Sequence, residues 1–208
     1  MSRARWRGPG SGFSLTELLV VMAILLVIAA MAVPNVITAI ADIRLRSSAQ
    51  AVAGLLQQVR LKAVSDNRYY TARAGGSGTN RYGYLDSTGT GAADGSGNGS
   101  YDSREYLVQL SGTVNFAQSG NPSFDTTKYL GFTPITGDSP LRVSFNSRGL
   151  TCKASGTTCS TLNGGAPVGY LYFLTDIRAT GGSGWQAVSV SPAGRIKVWV
   201  WAGGSSWQ

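Results

Sequence analysis

The sequence predicts an α+β protein in which one long N-terminal helix packs on an antiparallel β-sheet head domain. An apolar run reaches Val33 just before Pro34, and apolar residues then recur at helical spacing. Farther along, short strand-like segments alternate with turns. The chain holds 28 glycines and only 13% charged residues, which favours short strands over further helices. A long helix followed by strands is typical of α+β domains.

The helix is expected to have two parts. Residues 13–34 form a transmembrane and assembly helix, because their composition suits lipid. Residues 35–65 continue as an amphipathic helix into the head, and Pro34 should kink the helix rather than end it, since the pattern resumes within a turn. The apolar stripe that should face the sheet consists of Leu45, Ala49, Val52, Leu56, Val59 and Ala63.

Residues 66–208 are expected to form the β-rich globular head. Its early part, residues 74–103, is rich in Gly, Ser, Thr, Asn and Asp, which predicts a long surface loop. Runs bounded by turn residues predict strands at Tyr106–Leu110, Val114–Ala117, Leu141–Asn146, Tyr170–Thr175, Ala187–Ser191 and Ile196–Trp201.

The two cysteines, Cys152 and Cys159, bracket a short Gly/Ser/Thr turn. In an exported protein such a pair predicts a local disulfide. The chain has no histidine, which rules out Ser–His and Cys–His catalysis. It also lacks a phosphate-binding loop, a dinucleotide fingerprint and a nucleophile elbow, so we expect no enzymatic activity.

Glu17 stands at the start of the apolar run, where a carboxylate costs roughly 2.5–3.5 kcal/mol on membrane-insertion scales. A cut between Gly12 and Phe13 would free an α-amino group one turn from Glu17, in the same subunit or a neighbour, and neutralise this acid. Gly12-Phe13-Ser14-Leu15-Thr16-Glu17, behind a basic leader of residues 1–12, resembles the signal of type IV prepilins and pseudopilins. The resemblance implies cleavage after Gly12 by prepilin peptidase, methylation of Phe13 and assembly into a filament with Glu17 guiding register.

An ordinary secretory signal peptide is the alternative interpretation. Ala30-Met31-Ala32 fits a signal-peptidase site, and the basic N-terminus fits as well. Against it, Glu17 interrupts the apolar region, and a helical pattern continues beyond Pro34. N-terminal sequencing separates a mature start at Phe13 from one at Val33.

The exported part is basic. The formal net charge of the whole chain is +8, and the part after Pro34 carries 15 basic and 9 acidic residues, or +6. Such a surplus suggests a polyanionic partner such as nucleic acid, or simply serves solubility.

The segment from Arg195 to Trp201 carries the main candidate binding site of the head. Strand alternation places Ile196, Val198 and Val200 on one face, toward the core. The other face combines cations with indoles, a pairing that neutralises phosphates and stacks bases; it consists of Arg195, Lys197, Trp199 and Trp201. Alternatively, the cations protect a sheet edge and the indoles cover an apolar groove.

Two elements in which Arg and Gly are adjacent, Arg148-Gly149 and Gly194-Arg195, resemble the paired Gly-Arg elements of the FimT/GspH family of minor pilins and pseudopilins. In FimT members linked to natural transformation a Gly-Arg-x-Arg motif binds DNA, and the matching residues here read Gly194-Arg195-Ile196-Lys197. The resemblance implies double-stranded DNA bound without sequence preference, although Lys197 lacks the bidentate fork of arginine. Arg148 and Arg178 are further candidates for the same basic surface.

A calcium loop is a further hypothesis. Five oxygen-bearing side chains fall at positions 1, 3, 5, 9 and 12 of an EF-hand loop, with Gly99 at position 6. They are Asp94, Ser96, Asn98, Asp102 and Glu105. Such residues also align by chance in low-complexity segments, and no flanking helices are evident; no other cofactor is expected.

The resemblance implies a pilin-like minor subunit of a type IV pilus. It would be a single-pass inner-membrane protein with a periplasmic head, extracellular once assembled. Its partners would be other pilin subunits, prepilin peptidase and DNA for uptake. The alternative is a purely structural subunit, either a minor pseudopilin of a type II secretion system or a pilus-priming subunit without DNA binding.

Overall fold

The computed structural model describes residues 13–77, 80–87, 97–117, 121–136, 141–176, 184–204 and 206–208. The chain divides into two compact units, Met1–Ile37 and Thr38–Gln208. The predictions for Gly12, Asp94, Ser96 and Arg178 lie outside the described residues.

Helix α1 spans Leu15–Ser65 and continues through Pro34, so the expected single helix is confirmed. At its start the backbone N–H of Glu17 donates a 3.2 Å hydrogen bond to Ser14 Oγ, which satisfies one of the otherwise unpaired first-turn amides. In the N-terminal unit, the large apolar side chains from Leu15 to Val33 are all about half exposed or more. In the second unit, the predicted apolar stripe of the helix is fully buried.

The second unit contains all the strands of the described residues. They are β1 (Tyr70–Ser77), β2 (Asn80–Asp86), β3 (Leu107–Gln109), β4 (Val114–Ala117), β5 (Arg142–Phe145), β6 (Thr151–Ser155), β7 (Thr158–Ser160), β8 (Leu162–Asn163), β9 (Ala166–Pro167), β10 (Tyr170–Asp176), β11 (Trp185–Val190) and β12 (Ile196–Val200). A short helix α2 spans Thr126–Tyr129 and is capped by the Asp125 carboxylate.

All pairings between these strands are antiparallel, which confirms the predicted fold class. One sheet has the order β3-β2-β1-β5-β6-β7, a second has the order β12-β11-β10-β4, and β8 pairs with β9. The main core joins the buried stripe of α1 to residues of both larger sheets, among them Val143, Phe145, Tyr172, Leu174 and Val188.

A second apolar cluster covers the other face of the four-stranded sheet. Strand alternation sends Tyr172 and Leu174 to the main core and Leu171 and Phe173 to this second cluster. Its remaining members come from β11, β12, the segment around α2 and the C-terminal residues, and include Ala187, Trp199, Trp201, Trp207, Phe124 and Tyr129. The sheet is therefore buried on both faces.

The second half of β1 and all of β2 lie within residues 74–103, where the sequence predicts a loop, and the two strands pair antiparallel. Their register pairs Ala74 with Gly83 and Gly75 with Tyr82. A Cβ on Gly83 would lie 2.7 Å from Leu55 Cδ2 of α1, and one on Gly75 would lie 2.8 Å from the Tyr82 ring. The glycines that suggest a loop instead let the helix and an aromatic ring pack on the strand backbone.

The predicted disulfide between Cys152 and Cys159 is present, with a Cα–Cα distance of 5.3 Å. It links β6 to β7, where Ala154 pairs with Cys159. It is therefore a local crosslink across one hairpin.

Candidate functional site

The predicted processing site lies at the start of α1. Phe13 is 81% exposed and Glu17 is exposed one turn later. The helix contains an 18-residue window of mean hydropathy 2.7, none of it buried, so it is long and apolar enough to cross a membrane. The segment thus presents an unburied apolar surface that carries one acid near its beginning.

Both predicted Gly-Arg elements form tight turns. In the β5–β6 turn, Asn146 Oδ1 accepts hydrogen bonds from the backbone N–H groups of Arg148 (2.9 Å) and Leu150 (3.0 Å). Gly149 has φ +74°, a left-handed conformation that favours glycine. The Asn146 side chain therefore fixes this turn from within, while the Arg148 side chain stays exposed.

The β11–β12 turn is built in a similar way. Ser191 Oγ accepts a 3.1 Å hydrogen bond from the Arg195 N–H, and the Ser191 carbonyl accepts a 2.8 Å bond from the Gly194 N–H. Gly194 has φ +76°. Arg195 is exposed, as is Lys197 two residues along β12.

The two turns contact each other. A Cβ on Gly194 would overlap the carbonyl oxygen of Gly149. Thr151 ties the turns further, because its N–H donates to Pro192 O at 3.4 Å and its Oγ1, which donates to Val168 O at 2.5 Å, also lies 3.2 Å from Ser191 O. The structure therefore brings together Arg148-Gly149 and Gly194-Arg195, although they are more than forty residues apart in the chain.

Arg60 of α1 lies against both turns. Its Nε donates a 3.0 Å hydrogen bond to Gly149 O, and its Nη2 donates a 3.4 Å bond to Ala193 O. From the sequence, Arg60 is only one residue of the polar helix face. Backbone carbonyls at tight turns need hydrogen-bond donors, and an arginine on the helix can supply them. The presence of two such turns in the sequence is the signal that could have drawn attention to Arg60.

We call Arg60, Arg148, Arg195 and Lys197 the basic edge. Within the described residues, the ion pairs join Lys62 to Asp66 and Arg73 to Asp86, so none involves a member of the basic edge. Its positive charge is therefore not compensated by a neighbouring carboxylate of this part of the chain.

The two indoles predicted beside these cations are buried, which differs from the expected base-stacking surface. Trp199 is 6% exposed and Trp201 is 8% exposed, and both belong to the second apolar cluster. The Trp199 Nε1–H donates a 2.8 Å hydrogen bond to Ser189 Oγ. The alternation that points them away from the main core is correct, but residues around α2 and Trp207 cover that face.

A cavity of about 210 Å³ adjoins the basic edge. Lys197 Nζ lies 3.4 Å from the centroid of the Trp199 ring, a cation–π contact that holds the ammonium at the cavity wall. The lining residues are Tyr129, Leu130, Phe132, Ser189, Ser191, Arg195, Lys197 and Trp199. An anionic group in this cavity can therefore approach Arg195 and Lys197, and aromatic side chains line part of the cavity.

The candidate calcium ligands that lie within the described residues, Asn98, Asp102 and Glu105, belong to a hydrogen-bonded loop. Glu105 is 6% exposed; its Oε1 accepts from the Ser87 N–H at 2.7 Å and its Oε2 from the Asp102 N–H at 3.0 Å. Asn98 Nδ2 donates to Asp102 Oδ2 at 2.8 Å. In the described ranges, no three Cys, Asp or Glu side chains converge as metal ligands. Glu105 thus accepts a hydrogen bond from a backbone N–H group with each of its carboxylate oxygens.

Asp86, which no sequence pattern singled out, anchors the same loop. Its carboxylate accepts 3.0 Å hydrogen bonds from the N–H groups of Asn98 and Gly99 and lies 2.5 Å from Arg73 Nε. Tyr84 also holds the loop, because its hydroxyl donates a 2.9 Å bond to Gly99 O. Burial raises the pKa of Tyr84 to about 12, and the charge of Asp86 adds to the effect.

Comparison with known proteins gives three findings. Residues 10–33 match the family model described as the prokaryotic N-terminal methylation motif. No curated protein matches the chain. Two crystal structures of the type IV minor pilin FimU from Pseudomonas aeruginosa also match this chain, at low identity.

The first FimU structure is 16% identical, covers 79% of this chain and 92% of its own, and gives a TM-score of 0.42. The second is 18% identical, covers 74% and 91%, and gives a TM-score of 0.38. The N-terminal segment of this chain carries a prokaryotic N-terminal methylation motif, in agreement with the Gly12-to-Glu17 pattern.

Proposed function

We propose that the protein is a minor type IV pilin, cleaved after Gly12, methylated on Phe13 and assembled into a filament through α1. The observation that carries the proposal is the methylation motif at residues 10–33. The exposed apolar surface from Leu15 to Val33 supports it, since such a surface requires lipid or neighbouring helices. Glu17 supplies the acid that a freed Phe13 amine would neutralise.

Mass spectrometry of the mature protein tests the processing. With prepilin peptidase co-expressed, we expect a mature chain that begins at methylated Phe13. A matched Gly12→Ala variant alters the residue before the cut and should remain unprocessed, whereas Gly10→Ala should be processed normally. A mature start at Val33 would show signal-peptidase cleavage and refute the filament proposal.

We further propose that the head binds double-stranded DNA without sequence preference through the basic edge. Its exposed members, Arg148, Arg195 and Lys197, form no ion pair with a carboxylate of the described residues, and phosphates provide the complementary charge. The observation that supports this proposal is the contact between the two Gly-Arg turns, which brings Arg148 and Arg195 to one edge. Burial of Trp199 and Trp201 argues against single-strand stacking and favours phosphate contacts to a duplex.

A salt-titrated gel shift on the mature protein in non-ionic detergent tests DNA binding. We expect a logarithmic affinity that falls linearly with logarithmic salt, and a slope reduced by about one for each phosphate-contacting cation removed. The test variant is Arg148→Ala/Arg195→Ala/Lys197→Ala. The matched control removes the same charge at exposed sites elsewhere, as Arg44→Ala/Arg68→Ala/Arg104→Ala.

A larger loss in the test variant than in the control supports the DNA-binding proposal. Equal losses would mean that net charge alone attracts DNA. Absence of a shift at low salt would favour the second candidate, a purely structural pilus-priming subunit or type II secretion pseudopilin. One observation favours this candidate: both basic turns also hold the fold together through Thr151 and Arg60.

A further inference from the structure

We infer that Arg60 is a positioning residue for DNA binding, which holds the two arginine-bearing turns in register as one phosphate-binding edge. The inference rests on the proposed DNA-binding function. It assigns to a helix residue a role that neither turn can perform alone.

The two turns belong to different sheets. The turn before β6 connects strands of the six-stranded sheet, and the turn before β12 connects strands of the four-stranded sheet. Arg60 Nε reaches the carbonyl of Gly149 in the first turn, while Nη2 reaches that of Ala193 in the second. One guanidinium thus spans the junction between the sheets at the site where Arg148 and Arg195 project.

The junction leaves no space for a side chain at its centre. A Cβ on Gly149 would lie 3.0 Å from Arg60 Nε, and one on Gly194 would lie 3.0 Å from the same atom. Both glycines have positive φ, so the turns approach the guanidinium with their bare backbones. The spacing of Arg148 and Arg195 therefore depends on the backbone contacts around Arg60, together with the Thr151 bonds between the two turns.

The geometry requires an arginine. A planar guanidinium donates to two carbonyls at fixed angles, whereas a lysine ammonium at the same charge is a flexible point donor. Arg60→Lys therefore keeps the charge but loses the two-turn bridge. If Arg60 acted only as another phosphate-attracting cation, the lysine variant would bind DNA as well as the parent.

The experiment combines DNA affinity with amide hydrogen exchange on the mature protein in detergent. We expect Arg60→Lys to weaken binding about tenfold, as for a lost charge-assisted hydrogen bond, and to lower the salt slope. In the Arg148→Ala/Arg195→Ala background the same substitution should have no further effect, because the side chains it positions are absent. The matched control, Arg44→Lys on the same helix, should change neither quantity.

Exchange at Gly194 and Thr151 is the readout that does not depend on DNA. Arg60→Lys should speed exchange of both amides, while the amides of β10 and β11 stay protected and show that the head is folded. If the parent binds no DNA but these amides exchange faster in the variant, the proposed function fails, and only the role of Arg60 in holding the two turns together stands. Unchanged exchange, parental affinity in Arg60→Lys, or equal losses in both backgrounds would overturn the inference.

Discussion

Gly83 allows α1 to pack directly against strand β2. Leu55, which is fully buried, occupies the space where a Cβ would project from Gly83. A Cβ added at Gly54, next to Leu55 in the helix, would instead meet no atom within 4 Å apart from its immediate helix backbone. A methyl group at residue 83 would therefore clash with Leu55, whereas a methyl group at residue 54 would have space and would favour the helical conformation.

We expect Gly83→Ala to lower the free energy of unfolding by about 1–3 kcal/mol, because the new methyl would lie 2.7 Å from Leu55 Cδ2. Gly54→Ala is the matched variant and should raise it by up to about 1 kcal/mol, since alanine favours the helix. Urea denaturation measures both. Equal effects of the two substitutions would contradict the close helix–strand packing.

Tyr84 predicts a loss of stability at alkaline pH. Its pKa is raised from 10.0 to about 12 in the folded state, so the folded protein binds more protons than the unfolded chain between these values. The stability contribution is fully present below pH 10 and is lost as the pH rises toward 12, with a slope of up to about 1.4 kcal/mol per pH unit.

Tyr84→Phe should flatten this decline, measured as the free energy of unfolding in urea between about pH 9 and 11.5. Burial also raises the pKa of Tyr70, so some decline should remain in the variant. Tyr101→Phe, at an exposed ring, serves as the control. If the free energy of unfolding of Tyr84→Phe fell with pH as steeply as that of the parent, the pKa of Tyr84 in the parent would not be raised.

At the scale of elements, the C-terminal segment completes the second apolar cluster. Trp207 is 3% exposed, and the centroid of its ring lies 5.1 Å from that of Trp201 and 5.3 Å from that of Phe124. Its Nε1–H donates a 3.1 Å hydrogen bond to Ser123 O. The segment thus joins β12 to the residues before α2.

We expect Trp207→Ala to destabilise the head by about 3–5 kcal/mol, the usual cost of removing a buried aromatic side chain. The tryptophan fluorescence of the folded variant should shift to the red as Trp201 becomes exposed to water. Gln208→Ala, whose exposed side chain leaves the backbone bonds to Val200 intact, should behave as the parent. A parental unfolding free energy in Trp207→Ala would contradict the covering role.

The elements differ in how well the sequence predicts them. Strands β4 and β10 agree closely with prediction, because turn residues bound both runs and the apolar residues of β10 face one cluster on each side of the sheet. The β1–β2 hairpin escapes prediction because its glycines serve distant partners, Leu55 among them. The burial of Trp199 agrees with the alternative in which the indoles cover an apolar groove, and the sequence could not decide between the two because alternation identifies a face but not what covers it.

At the scale of the whole molecule, the sequence of the helix indicates assembly more directly than the sequence of the head indicates DNA binding. The methylation motif and the exposed apolar residues lie within one continuous segment, so local sequence is sufficient to find them. The basic edge combines residues from α1 and two distant turns. Local sequence suggests Arg148 and Arg195, but their contact and the part of Arg60 depend on the tertiary fold.

Glu17→Gln tests the assembly proposal. Removing the acid leaves a freed Phe13 amine without its partner, so we expect incorporation into filaments to fall by about tenfold or more. Asp42→Asn, an exposed acid elsewhere on α1, is the control. Quantitative immunoblotting of sheared filaments against cell-associated protein measures the effect, and unaltered incorporation of the Glu17→Gln variant would refute the proposal.

The pairing of the last residues with β12 has a consequence for solubility. Val200 and Gln208 exchange reciprocal backbone hydrogen bonds of 2.8 and 3.0 Å, and Trp201 bridges Trp207 in the antiparallel sense. The C-terminal end of β12 is therefore paired with the protein's own backbone, at a position where a foreign strand would otherwise add. This pairing disfavours amyloid-like growth from that end of the strand.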